Sequence, residues 1–149
     1  MSDLNELYQE ILLEHNSKPR NFRLLEDANR TADGFNPLCG DKISLYLKVD
    51  GDVITDVGFQ GSGCAISRAS ASMLTQSVKG QSLERADQIF QAFHRMITEP
   101  GEELDYDMLE DLECLAGIAS FPTRIKCAVL AMHTMRAALE QHTDTVTTE

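Results

Sequence analysis

Positive charge is scarce in this chain of 149 residues. Thirteen lysines and arginines face twenty-four aspartates and glutamates, for a formal net charge of −11. That sign excludes a phosphate backbone or an anionic membrane as the expected partner. Long apolar runs are missing too. No stretch reaches the length of a membrane span, and residues 1–10 are polar and amphipathic rather than an apolar signal core, so a cytoplasmic protein is expected. Cysteine is limited to four scattered residues, Cys39, Cys64, Cys114 and Cys127, none in a compact zinc-finger pair. In a reducing compartment such cysteines are reduced, metal-bound or reactive rather than disulfide-bonded, or they are simply small buried hydrophobes.

What is present is enough for one domain over residues 1–142, large enough to bury roughly two-thirds of the surface its unfolded chain exposes. A metal is therefore not needed for folding, and any metal site is expected to serve function. Residues 143–149 read as a disordered tail.

The segment Asn36-Pro37-Leu38-Cys39-Gly40-Asp41 is a polar turn with a thiol and a carboxylate two residues apart. Glycine between them frees the backbone to aim both side chains at one point. This is half of a tetrahedral site for an ion that accepts thiolate and carboxylate, such as zinc. Cys64, after a glycine pair, and Cys127, shortly after Pro122, are the candidates for the other half. Both sit at expected helix starts, where negative charge is favoured.

Along the chain, Leu4, Leu7, Tyr8, Ile11 and Leu12 recur at helical spacing between Asp3 and Pro19, with His15 expected at the surface or as a cap. Residues 18–35 read as a surface segment. Ile43, Leu45, Leu47 and Val49 alternate with polar residues, as do Val53, Thr55, Val57 and Phe59 after the Asp50-Gly51 turn. An antiparallel hairpin follows, and it brings Cys64 back beside Cys39 and Asp41.

Ser67 is expected to cap a helix running to Gly80, and Ser82 to begin another that carries Ala86, Ile89, Phe90, Phe93 and Ile97 inward and ends at Pro100-Gly101, with His94 in solvent. Seven carboxylates between Glu102 and Glu113 lack calcium-loop spacing and read as the solvated face of a short helix. Cys114 beyond them reads as a buried structural thiol. The last helix, from Pro122 to about His142, turns Ile125, Val129, Met132, Met135 and Leu139 inward. Cys127 lies off that stripe, and His133, almost two turns on, is not expected to be a ligand.

Taken together, Asn36-Pro37-Leu38-Cys39-Gly40-Asp41, Gly61-Ser62-Gly63-Cys64-Ala65-Ile66-Ser67 and Phe121-Pro122-Thr123-Arg124-Ile125-Lys126-Cys127 resemble, in order and spacing, the signatures of the IscU/SufU/NifU amino-terminal family of iron-sulfur assembly proteins. The likeness runs from the first helix to about Gln141. It is nearer to the SufU branch: Lys126 stands where scaffolds carry histidine, and the stretch around Met96–Cys114 matches an extra SufU segment.

The resemblance implies an α+β fold, a small antiparallel sheet packed against several helices. It also implies a zinc site of Cys39, Asp41, Cys64 and Cys127, because protonated Lys126 has no lone pair to offer. Cys39 would accept persulfide sulfur from a SufS-type cysteine desulfurase and pass it toward downstream iron-sulfur assembly proteins. The role is that of a sulfurtransferase relay rather than a free-standing enzyme. Arg124 and Lys126 would aid docking or stabilise thiolate. Attack on a persulfide needs a thiolate at least partly freed from the metal. The alternatives are a scaffold that assembles iron and sulfide into a transient cluster, and a non-catalytic zinc-bearing regulator of the desulfurase.

Overall fold

The computed structural model describes residues 2–99, 106–141 and 144–148, with no side-chain description at residues 2–5 and 106. The Pro100-Gly101 stop, the first three carboxylates of the acidic cluster (Glu102, Glu103, Asp105) and the His142 end of the last helix fall outside the described residues, as do the side chains of Asp3 and Leu4.

The two alternating runs form β2 (Asp41–Asp50) and β3 (Val53–Ser62), paired antiparallel, with Leu45 facing Phe59 and Lys42 facing Ser62. Ile43, Leu45, Leu47 and Val49 are buried while Lys42 is exposed, as period-two patterning requires. A strand precedes them. β1 (Arg30–Asn36) pairs antiparallel with β2, with Asn36 opposite Asp41, in a stretch expected to be surface loop. Its sequence, RTADGFN, has no apolar alternation to announce it, and on its inward face only Gly34 and Asn36 are buried. The exposed edge of β2 imposes the strand, because unpaired backbone groups at a sheet edge accept a neighbour whatever its propensity.

The same logic corrects the tail. Val146–Thr147, in the stretch expected to be disordered, forms β4, a short parallel strand on the open edge of β1, where Thr148 N donates to Phe35 O at 3.2 Å. The sheet order is β3-β2-β1-β4.

Two helices, Ala65–Val78 and Pro122–Leu139, lie against the buried face of this sheet, and the others pack on them or on one another. α1 (Ser2–Ser17) packs on α2 (Ala65–Val78) and the 3-10 segment Glu110–Ser120. α3 (Leu83–Thr98) is capped by Ser82, whose side chain accepts from Arg85 N. It buries Ala86, Ile89, Phe90, Phe93 and Ile97 as the spacing predicts, and His94 is exposed. Burial of Phe90 and Phe93 contributes roughly 1.5–3 kcal/mol each.

α4 (Tyr106–Leu109) leads into the 3-10 segment, and α5 (Pro122–Leu139) packs on β1, β2 and α2. Because α5 is covered on several sides, ten of its residues are buried, among them Cys127, Ala128, Leu130 and Ala131 beyond the expected stripe. No helix among the described residues is long and apolar enough to cross a membrane.

Two helix-level expectations are corrected. His15 is neither exposed nor a cap: it is 1% exposed, its Nδ1 is 2.7 Å from Ser72 Oγ and its Nε2 3.5 Å from Asp111 Oδ2. A residue near the end of an amphipathic helix is buried here because the 3-10 segment folds over it. α2 is capped by Cys64 rather than Ser67, which lies buried one turn inside, its N–H aimed at the Cys64 thiol.

Candidate metal centre

Three chain reversals deliver the donors. The β1–β2 turn begins at Asn36, whose Oδ1 accepts from Leu38 N at 3.2 Å and whose carbonyl accepts from Gly40 N at 2.8 Å. Gly40 takes φ 75°, a conformation glycine adopts without strain, and this closes the turn with Cys39 exposed at its tip and Asp41 directed inward, fully buried. The β3–α2 junction supplies Cys64. As the N-cap, its extended backbone (φ −72°, ψ 167°) turns the thiol over the first helical turn, where Ser67 N lies 3.5 Å from Sγ. The first two turns of α5 supply Arg124 and then Cys127.

These reversals meet. Cys39 Sγ lies 3.4 Å from Cys127 Sγ, and these two sulfurs and a carboxylate oxygen of Asp41 all fall within 4.8 Å of one another. Cys64 joins that trio through Asp41: its N–H donates to Oδ1 at 2.8 Å and its Sγ lies 3.8 Å from Oδ2. Gly63 makes the approach possible. A Cβ there would stand 2.5 Å from Asp41 Oδ1, so only a residue without one lets the β3–α2 backbone close over the carboxylate.

The cluster is rich in anionic donors and poor in counter-charge. Burial first, then the neighbouring Cys39, Cys64 and Asp41, push the Cys127 thiol well above its ordinary pKa. Among the described residues no ion pair reaches Asp41, though a fully buried carboxylate ordinarily has a cationic partner. The exposed Arg124 is the nearby cation: the charge of Cys64 first, then contact with Cys127, holds its guanidinium above its usual range. Two sulfurs and one carboxylate lie within reach of a single ion, with the Cys64 sulfur beside that carboxylate, and donors of this kind suit a tetrahedral divalent ion such as zinc.

The remaining candidates lie elsewhere. Lys126 lines a groove with Val129, His133 and Arg136, on a different side of α5. His133 faces His94, their ring centroids 6.0 Å apart, and burial followed by His94 and Arg136 lowers its pKa. Cys114 is core, 3.6 Å from Met73 Sδ, its thiol pushed up to about 12 by burial, then by Asp111 and Glu113. Asn36, at the head of the Asn-Pro turn, also belongs to the site. Its Nδ2 lies 3.4 Å from Asp41 Oδ2 and 3.5 Å from Cys127 Sγ, a position that the Asn-Pro turn signal alone does not reveal.

The chain is similar to known proteins. The chain is 44% identical over 131 residues to the zinc-dependent sulfurtransferase SufU of Bacillus subtilis (strain 168), covering 87% of each chain. It is 40% identical to the iron-sulfur cluster assembly scaffold protein IscU of Streptococcus pyogenes serotype M1, covering 95% of this chain and 87% of that one. The crystal structure of a nitrogen-fixing NifU-like protein (N-terminal) from Brucella abortus shares the fold with a TM-score of 0.83 at 22% identity, over 93% of this chain and 95% of that one. Residues 7–128 match the family described as the NifU-like N terminal domain, and the chain belongs to that family.

Proposed function

We propose that this chain is a zinc-dependent sulfur acceptor in iron-sulfur cluster assembly, taking persulfide sulfur from a SufS-type cysteine desulfurase in the cytoplasm. One observation carries the reading: of the three thiols gathered around Asp41, two in a common cluster with it and Cys64 against its Oδ2, Cys39 alone is exposed. Cys39, Asp41, Cys64 and Cys127 would hold the zinc, which keeps bound thiols deprotonated at neutral pH.

The transfer itself is a thiol–persulfide exchange. The Cys39 thiolate attacks the outer sulfur of the desulfurase persulfide. A bond forms from Cys39 Sγ to that sulfur, the old sulfur–sulfur bond breaks, and the desulfurase cysteine leaves as thiolate. No external oxidant or reductant is consumed. Leu38 and Phe121, 58% and 59% exposed, offer apolar contacts near the tip. Arg124 beside the thiols supplies positive charge for the thiolate, and Lys126, on another side of α5, adds charge for docking.

A scaffold role is the second reading, favoured by the 40% identical relative named as a scaffold. Lys126 counts against it, since it offers no lone pair where scaffolds carry histidine. Protein purified without added metal should carry about one zinc per chain and stimulate desulfurase turnover, and Cys39→Ala should abolish the stimulation. An iron-sulfur chromophore transferable to an apoprotein would replace this reading with the scaffold, and stimulation that survives Cys39→Ala would replace it with a regulator.

A further inference from the structure

The donors of the site are not held alike. Cys64 Sγ accepts from Ser67 N at 3.5 Å, Asp41 accepts from Cys64 N at 2.8 Å and Asn36 Nδ2 at 3.4 Å, and Cys127 Sγ accepts from Asn36 Nδ2 at 3.5 Å. Among the described residues no N–H group donates to Cys39 Sγ, whose hydrogen-bonding neighbour is the Cys127 thiol at 3.4 Å. Asn36 is 0% exposed, and its amide has one orientation open to it. Leu38 N engages Oδ1, and a flipped amide would set an acceptor oxygen against the carboxylate of Asp41.

We propose that Asn36 is a positioning residue that decides which donor parts first, anchoring Asp41 and Cys127 through its amide and leaving Cys39 unanchored. A hydrogen bond to a thiolate stabilises its charge and blunts its attack on an electrophile. An unanchored thiolate at an exposed turn keeps its full nucleophilicity and leaves a metal most readily. Groups that orient metal ligands from behind typically change metal affinity or activity about 10- to 100-fold when removed. The purpose assigned to this asymmetry rests on the sulfur-acceptor reading, whereas its test does not involve the desulfurase.

The test compares wild type with Asn36→Leu, similar in volume but without a donor, and Asn36→Ser, smaller and with one hydroxyl donor. In metal-free reduced protein, alkylation by N-ethylmaleimide is followed cysteine by cysteine with peptide mass spectrometry. Wild type should react first at Cys39. In Asn36→Leu the rate at Cys127 relative to Cys39 should rise about tenfold or more, with Cys114 in the core still protected. In zinc-loaded protein, loss of zinc to a chromogenic chelator should be about 10- to 100-fold faster for Asn36→Leu, and Asn36→Ser should fall between it and wild type.

A wild-type reactivity ratio and zinc-release rate in Asn36→Leu would overturn the proposal, because burial and the Arg124 contact would then explain the selectivity. A rise at Cys114 in step with Cys127 would overturn it too, as general loosening. Should Asn36→Leu fail to fold, wild-type values in Asn36→Ser would have the same force. Wild type that binds no zinc would defeat the sulfur-acceptor reading, while the alkylation ratio would still decide the role of Asn36.

Discussion

At the scale of single residues the site depends as much on what is small as on what is reactive. Gly63 carries no chemistry, yet a methyl group there would sit 2.5 Å from Asp41 Oδ1 and 3.1 Å from its Cβ. Gly63→Ala should therefore displace the carboxylate and lower zinc affinity about 10- to 100-fold with the fold retained, as measured by zinc content and chelator competition. Cys114→Ala is the contrasting case. Its sulfur packs against Met73 in the core, so the change should cost about 1–2 kcal/mol in denaturant unfolding and leave the zinc content unchanged. Loss of zinc in that variant would show the assigned donor set to be wrong. Cys39, Asp41 and Cys127, which the structure brings together, stand out in the sequence, because thiols and acids in three short motifs have few other uses. Gly63 and Asn36 were not legible as site residues, because their roles consist of distances to atoms of other elements.

Among the elements, the contact of α1 with the rest of the fold depends on pH through His15. His15 is buried between α2 and the 3-10 segment. Ser72 Oγ, which accepts from Arg20 N at 2.8 Å, lies 2.7 Å from His15 Nδ1, and Asp111 Oδ2 lies 3.5 Å from Nε2. Burial lowers the His15 pKa most. Asp111 opposes that shift, Arg20 adds to it, and Glu14 opposes it. With the folded-state value below 6.5, the unfolded chain takes up the proton first as pH falls. The stability from the neutral imidazole is thus complete above about pH 6.5 and declines below it. His133 contributes with the same sign. Melting temperature should fall between about pH 7 and pH 5, and His15→Gln should flatten that fall, leaving the part due to His133. Equal slopes in the two proteins would refute the assignment. Helical spacing placed α1 correctly, but it could not bury His15, since that depends on a partner segment almost a hundred residues away.

For the whole molecule, the site ties together the β1–β2 turn, the β3–α2 junction and the start of α5, while a separate apolar core is built on Leu45, Leu74, Phe90 and Leu130. Removing the metal should leave that core standing. Chelation is expected to preserve the far-ultraviolet circular dichroism and to lower the melting temperature by about 5–10 °C, as a ligand present at roughly a hundred times its dissociation constant would require. Collapse of secondary structure on chelation would instead make the metal a folding staple.

The sequence by itself determined the local events: β2 and β3 from their alternation, α3 from its stripe and its Ser82 cap, and the adjacency of Asp41 and Cys64 from the hairpin between them. Each follows from neighbours in the chain, which share a face or a turn whatever lies beyond. Only the tertiary structure decided that RTADGFN is a strand, that Val146–Thr147 closes on it, and that Cys127 reaches Cys39 with the Asn36 amide behind both. Those outcomes depend on which surfaces pack together, and free edges and buried polar groups have to be satisfied by whatever the whole fold brings beside them.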